Sequence, residues 1–170
     1  MQQEYLCIML STQKMPQFLP PKTDDFHKKK LKYGAPLTSS PAAYDTLSAF
    51  FQDTGTTARD FDLVLTGDLG ALGHEIVRDL FAKGGVDMGR NFTDCGLLLY
   101  DRSGQDMHAG ASGCGCSAGV LNGYLLSRFA DGSLKRILFA PTGALLSPTS
   151  SFQGESIPGI CHAICICAER

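Results

Sequence analysis

Two cysteines, one histidine and four glycines fall within the twelve residues 108–119, HAGASGCGCSAG. A cysteine is a nucleophile as its thiolate, which a neighbouring imidazolium or a helix N-terminus stabilises. We expect Cys114 or Cys116 to lie at the first turn of a following helix, whereas His108 lies six residues earlier, across a turn. Small residues are also typical of a helix end that packs tightly against a sheet, and spacing alone favours this structural interpretation.

A second Cys-x-Cys motif, Cys165/Cys167, raises the alternative of a four-thiol metal site completed by Cys114/Cys116. Zinc ligand pairs usually have wider spacing, with about two to four intervening residues. Because Cys165 and Cys167 alternate with isoleucines in a predicted strand, we expect them to fill one face of the core, and we predict no metal and no cofactor. A disulfide between Cys114 and Cys116 would close a very small, strained loop and is not expected.

The glycine-rich turn also offers backbone donors, because N–H groups at a helix start are unpaired and lie at the positive end of the helix dipole. A second Gly/Ser loop, residues 142–151, follows another predicted strand, and the two loops could line one pocket for a carboxylate or phosphate. The alternative is that both are ordinary surface connections. The candidate ligand-binding residues are Ser112, Gly113, Cys114, Gly115, Cys116, Ser117, Thr142, Gly143 and Ser147.

Four other polar residues carry weaker signals. His74 begins a predicted helix and His162 interrupts an apolar strand, so both are predicted to be structural. Asp68 is expected to cap the helix that follows it. Glu155 lies on a polar loop, where a solvated carboxylate is expected.

Helix start and stop residues define three predicted helices. Ser40 and Pro41 predict a helix start, with a stop near Gly55. HEIVRDLFAKGG predicts a helix that ends at Gly84-Gly85, and CSAGVLNGYLLSRFADG predicts another. The apolar stripe of the second helix comprises Ile76, Val77, Leu80 and Phe81.

Strand signals lie between these helices. FDLVLTGDLG predicts a buried strand at residues 63–65, and KRILFAPTG predicts another. CGLLLYDRSGQDMHAG predicts two strands joined by a hairpin at residues 102–104. After a long polar loop, ICHAICICA predicts a last strand buried on both faces. This order of elements predicts a layered α/β fold with helices packed on a mixed sheet.

Composition bounds the class of protein. The 170 residues leave room for one domain, and 44% apolar with 19% charged residues argues against disorder. A net charge of -2 gives no reason to expect nucleic acid as a partner. No apolar run approaches the roughly 20 residues of a membrane span, and no signal peptide is expected. An odd count of seven cysteines favours reduced thiols in an intracellular protein.

Two regions of the sequence differ in composition and apolar periodicity. Residues 1–34 are interrupted by prolines and carry the basic run HKKKLK, which is expected to be solvated. We expect them to be a poorly ordered N-terminal extension, and residues 35–170 to form the domain.

Four segments taken in order resemble one family: FDLVLTGDLG, DCGLLLYD, HAGASGCGCSAG and LFAPTGALLSPTSSFQGESIPGICHA. They are similar to the C-terminal half of the stage V sporulation protein AD family, over about residues 39–168. The resemblance implies a thiolase-like layered fold, related to the ketoacyl synthases, of which only the C-terminal half is present. We therefore expect a fragment or truncated gene product that lacks the half with the thiolase nucleophile.

The resemblance also implies a function. Such proteins bind dipicolinic acid or its calcium chelate and support its uptake into the developing spore. The implied partners are membrane-bound sporulation proteins of the same uptake system, with the chain peripheral to the inner spore membrane. A homodimer through the thiolase-like sheet is a further expectation.

Enzymatic activity is not expected. A ketoacyl synthase would have its catalytic His after the strand DLVLT, where this chain has Gly67-Asp68, and its catalytic Asn where Cys114 falls. Without them the usual oxyanion-stabilising donors are missing. The alternative is a thiolase-like acyl-transferring enzyme half that uses Cys114 or Cys116, because classical thiolases have a second cysteine in this half.

Overall fold

Short strands, the central two of them buried almost throughout, form the centre of the computed structural model, which describes residues 35–144, 147–154 and 158–168. The strands are β1 (Leu63–Thr66), β2 (Phe92–Asp94), β3 (Arg136–Ala140), β4 (Thr142–Ala144), β5 (Gly159–Cys161) and β6 (Ile164–Cys167). One sheet has the order β2-β1-β3-β6, in which β1 pairs in parallel with β2 and β3, and β6 pairs antiparallel with β3. β4 and β5 form a separate antiparallel pair.

Helices connect these strands. They are α1 (Ala35–Thr54), α2 (Gly70–Lys83), α3 (Cys95–Leu98), α4 (Cys116–Val120), α5 (Leu126–Ala130) and α6 (Pro148–Phe152). A 3-10 turn spans Ala58–Asp60, and a π-helical turn, Leu121–Leu125, joins α4 to α5. Within the described ranges, no helix is both long and apolar enough to cross a bilayer.

The sheet separates two apolar clusters. Successive strand residues point to opposite faces, so Val64 packs towards α1 and α2 while Leu65 packs towards α4 and α5. Buried Val77 and Phe81 anchor α2 on its face, and burial of each such side chain stabilises the fold by about 1.5–3 kcal/mol. The predicted layered α/β class with a mixed sheet is confirmed.

The predicted start of the first helix is wrong, and its predicted end is confirmed. Helix α1 begins at Ala35, so Pro41 lies inside it. Ser40 is not a cap: it is fully buried, and its hydroxyl donates to the Gly73 carbonyl at 3.2 Å. Pro41 removes one backbone hydrogen bond from the interior of the helix, and packing of α1 against α2, which includes the Ser40–Gly73 hydrogen bond, stabilises this segment. The helix ends before Gly55, whose φ of 63° suits glycine.

The predicted hairpin is wrong. The segment after β2 forms the short helix α3, because the Asp94 carboxylate accepts the Gly96 N–H at 2.9 Å and caps the helix start. A turn does occur at residues 101–104, where the Asp101 carboxylate accepts the Ser103 N–H at 3.0 Å, but no strand flanks it. A local cap therefore prevails over the strand pattern of the leucines.

The predicted last strand is two strands, interrupted at His162 and Ala163. The His162 N–H donates to the Pro141 carbonyl at 3.2 Å, and the chain passes there from β5 to β6. The apolar residues of β6 pack on both faces of the sheet, as predicted. The expected extension at residues 1–34 and the solvated Glu155 lie outside the described residues.

Candidate functional site

The glycine-rich turn and the second Gly/Ser loop meet at one edge of the sheet. β1, β2 and β3 run parallel, so their carboxyl ends share this edge, a common place for ligand sites. The Asp68 carboxylate, just beyond β1, accepts the Gly113 N–H at 3.0 Å through Oδ2 and the Thr142 hydroxyl at 3.0 Å through Oδ1. One half-buried carboxylate thus joins loops separated by almost thirty residues in sequence.

Asp68 is therefore not the helix cap that the sequence predicts. The cap of α2 is Asp94, whose carboxylate accepts the N–H groups of Leu69 at 3.1 Å and Gly70 at 3.0 Å. Asp94 comes from the neighbouring strand β2, where it pairs with Thr66 at the carboxyl end of β1 and so lies next to these donors.

Asp94 is a fully buried hub that sequence reasoning missed. Besides the starts of α2 and α3, it binds the Thr66 hydroxyl at 2.7 Å. Burial raises the pKa of this carboxyl, although hydrogen bonds from the hydroxyl and three backbone N–H groups act in the opposite direction. An aspartate directly before the leucine-rich segment CGLL was the available signal, because aspartate is a preferred helix N-cap.

Gly67 lies in a space too small for a side chain. A Cβ atom at this position would lie 2.6 Å from the Thr142 nitrogen and 2.8 Å from the Ser117 Oγ. The Cys116 thiol also donates to the Gly67 carbonyl at 3.6 Å. At the position where the resemblance places a synthase histidine, the structure has no room for an imidazole.

The two cysteines of the turn differ in environment. Cys116 is the first residue of α4, as expected, and is buried, while Cys114 is exposed together with Ser112, Gly113 and Gly115. Burial, and then the negative charges of Asp94 and Asp68, raise the pKa of the Cys116 thiol to about 11. Cys116 is thus protonated at neutral pH despite its place at a helix start.

Two other predicted site residues, Gly143 and Ser147, are not part of this group. Gly143 lies in β4 opposite Ile160, and its carbonyl accepts the Ser39 hydroxyl at 3.3 Å. Ser147 precedes α6 and follows residues 145–146, which lie outside the described ranges. The structure thus gathers Gly113, Cys116, Ser117 and Thr142 around Gly67 and Asp68.

His108 and His74 do not join this cluster. His108 is about nine-tenths exposed, and its Nε2 lies 2.9 Å from the Asp106 carboxylate. His74 stacks on the Phe92 ring at 4.7 Å, and its Nε2 lies 3.2 Å from the Phe92 carbonyl oxygen, a structural role as predicted. Burial lowers the pKa of His74.

The four-thiol alternative is incompatible with the sheet. Cys116 packs in the cluster beneath α4 and α5, whereas Cys165 packs in the cluster beneath α1 and α2. The sheet lies between them, so these two motifs cannot share one metal ion.

A mixed sheet covered by helices, with glycine-rich turns at the carboxyl ends of its parallel strands, is consistent with part of a thiolase-like fold. The family model for Stage V sporulation protein AD (SpoVAD) matches residues 23–167. The chain belongs to the stage V sporulation protein AD family. The match begins before residue 39, where the resemblance in the sequence was expected to start.

A curated relative agrees with this assignment. The stage V sporulation protein AD of Bacillus subtilis (strain 168) is 45% identical over 125 residues, which cover 74% of this chain. The same residues cover 37% of the relative, so the chain spans just over a third of its length.

Proposed function

We propose that this chain is a non-enzymatic sporulation protein segment that forms part of a site for dipicolinic acid or its calcium chelate and supports the uptake of this ligand into the developing spore. The observation that carries the proposal is the bridge at Asp68. Its carboxylate is held by the Gly113 N–H and the Thr142 hydroxyl, two of the donors predicted to bind a ligand carboxylate. The two loops are therefore spaced to hold a carboxylate between them.

The chemistry of the ligand fits the edge of this cluster. Dipicolinate has two carboxylates on a flat ring, and Ser112, Cys114 and Gly115 present hydroxyl and N–H groups at the exposed side of the turn. The charge of Asp68 repels a free dianion but attracts calcium, which takes carboxylate oxygens as ligands. The calcium chelate is therefore the form of the ligand that we favour.

Two features support a binding role over catalysis. Gly67 leaves no space for a histidine, and the Cys116 thiol is protonated at neutral pH because its pKa is about 11. Neither a general base nor a ready thiolate accompanies the turn at these two positions. The proposed partners are membrane-bound proteins of the same uptake system at the inner spore membrane, together with a second copy of the chain across the sheet.

The remainder of the pocket is proposed to come from the part of the relatives that this chain does not span. Calorimetric titration with dipicolinate, with and without calcium, is expected to give weak binding by the chain alone. A micromolar Kd for the isolated chain would contradict a shared pocket.

A chimera makes the titration decisive. Residues 39–168 would replace the matching segment of the Bacillus subtilis relative, and the chimera is expected to bind dipicolinate far more tightly than the chain. Thr142→Val in the chimera is expected to weaken binding at least about tenfold, since it removes the hydroxyl that holds the Asp68 carboxylate in place. Ser127→Ala, at an exposed serine of α5, is the matched control. A chimera that binds no dipicolinate would overturn the proposal.

The second candidate function is acyl transfer by a cysteine, which the exposure of Cys114 two residues before α4 favours. Iodoacetamide labelling at neutral pH separates the two functions. An alkylation rate of Cys114 far above that of glutathione would support the enzyme. A rate similar to glutathione, with slow labelling of Cys116, would support the binding module.

A further inference from the structure

Two thiols of β6 lie in contact on one face of the sheet. The Sγ atoms of Cys165 and Cys167 are 3.4 Å apart. Their proximity follows from the strand, because residues two apart in an extended chain point to the same side. Both pack against the apolar cluster beneath α1 and α2. Ile164 and Ile166, which alternate with them in the strand, belong to the cluster on the other face of the sheet.

A fixed cation accompanies this thiol pair. Arg136 of β3 is the direct antiparallel partner of Cys167, so their side chains share a face. The guanidinium lies 4.7 Å from the centre of the Phe61 ring, which holds it in place. A hydrogen bond to the Cys165 sulfur is the largest cause of the raised pKa of Arg136. A cation beside a thiol pair stabilises the negative charge that develops on sulfur during thiol–disulfide exchange.

The two thiols differ in access. Cys165 is 5% exposed, whereas Cys167 is half-buried and is the last residue of β6. In the four-stranded sheet of the described residues, β6 is an edge strand, so one of its sides has no strand partner. Because Cys167 is the more exposed of the two thiols, a small reagent can reach it first.

We propose that Cys165 and Cys167 form a dithiol site that closes reversibly to a disulfide by exchange with a small disulfide such as oxidised glutathione. The Cys167 thiolate attacks one glutathione sulfur, and a glutathione thiolate leaves. The Cys165 thiolate then attacks the Cys167 sulfur of the mixed disulfide and releases the second glutathione. The two thiol protons are taken up by the two leaving thiolates, so one disulfide is reduced for each disulfide formed.

The strand makes such a disulfide easy to reduce. Residues two apart in a strand have Cα atoms separated by about 6.6 Å. This value lies near the upper limit of about 6.8 Å for disulfides, so the closed form is strained and its potential is that of a labile bond. The site is thus a reversible modification site, independent of any role of the Asp68 cluster.

The test is a titration of the whole chain with mixtures of oxidised and reduced glutathione, followed by intact-mass and peptide mapping. We expect loss of the mass of two hydrogens, mapped to the peptide with Cys165 and Cys167 and reversed by excess reduced glutathione. Cys167→Ser is expected to abolish this change and Cys114→Ser to leave it intact. Arg136→Gln is expected to slow disulfide closure about tenfold.

A second measurement needs no substitution. Phenylarsine oxide condenses with two adjacent thiols, forming two As–S bonds and releasing water. One phenylarsine per chain, with Cys165 and Cys167 both protected from iodoacetamide, is the expected result. Glutathione found only as a mixed disulfide on Cys114, or a phenylarsine adduct retained in Cys167→Ser, would overturn the proposal.

Discussion

Two Cys-x-Cys motifs with identical spacing place their thiols differently in this molecule: apart in one motif and in contact in the other. In the turn before α4, Cys114 is exposed and Cys116 is buried against the Gly67 carbonyl. In β6, Cys165 and Cys167 lie on one face with their sulfurs in contact. A strand returns the side chain to the same side at every second residue, whereas a turn that enters a helix does not. Spacing in sequence therefore does not decide whether two thiols meet.

The charges around the two motifs also differ. Asp94 and Asp68 lie near Cys116 and contribute to its raised thiol pKa of about 11. Arg136 lies beside Cys165 and opposite Cys167. The turn therefore keeps its buried cysteine protonated, whereas the strand has a cation beside its thiol pair.

The largest expected effect comes from Asp94→Asn, because the Asp94 carboxylate binds the backbone at the starts of α2 and α3. An amide presents only one accepting oxygen to the four donors around this buried group, so unfolding free energy should fall by about 3 kcal/mol. Urea unfolding measures the change. Asp79→Asn, at an exposed position of α2, is the control. Equal stability of the two variants would show that Asp94 is not a hub.

Alkylation compares the two cysteines of the turn directly. At pH 8, iodoacetamide should modify Cys114 more than about 100-fold faster than Cys116, because Cys116 is buried and poorly ionised. Thiolate content rises with pH below the pKa, so the Cys116 rate should rise about tenfold per pH unit until about pH 11. Peptide mapping by mass spectrometry reports each site. A flat pH profile for Cys116 would contradict this environment.

Gly67→Ala tests the packing that closes the turn motif over β1. The added methyl meets the Thr142 nitrogen, and overpacking of this kind costs about 1–3 kcal/mol. Gly119→Ala is the control, because a Cβ atom there meets nothing within 4 Å. Thermal unfolding should separate the two variants, with Gly119→Ala at least as stable as the parent chain. Tolerance of Gly67→Ala would show that Thr142 moves freely.

Asp68→Ala is expected to have the smallest effect. Loss of the bridge should speed amide exchange at Gly113 about tenfold and leave β6 unchanged. Hydrogen exchange read by mass spectrometry checks this expectation. Asp106→Ala, which removes only an exposed ion pair with His108, is the control. Faster exchange at β6 would mean that the two motifs are coupled.

Apolar patterns predicted much of the fold. The buried strand at 63–65, the end of the first helix, and the helix from Cys116 onwards follow from local periodicity and glycine stops. The hairpin at 102–104 was wrong because Asp94 caps a helix in a leucine-rich segment that has strand character. The cap role of Asp68 was wrong because the donors at the start of α2 bind a carboxylate from a neighbouring strand.

The sequence by itself determined the class of fold and the family, because side-chain alternation and glycine punctuation are local properties and motif order survives in the chain. Tertiary structure alone decided which polar groups meet. Asp68 and Thr142 are 74 residues apart, and their hydrogen bond exists because β1 and β3 pair in parallel and bring their carboxyl ends to one edge. The separation of the two Cys-x-Cys motifs has the same origin, since packing of helices on both faces of the sheet places Cys116 and Cys165 on opposite sides.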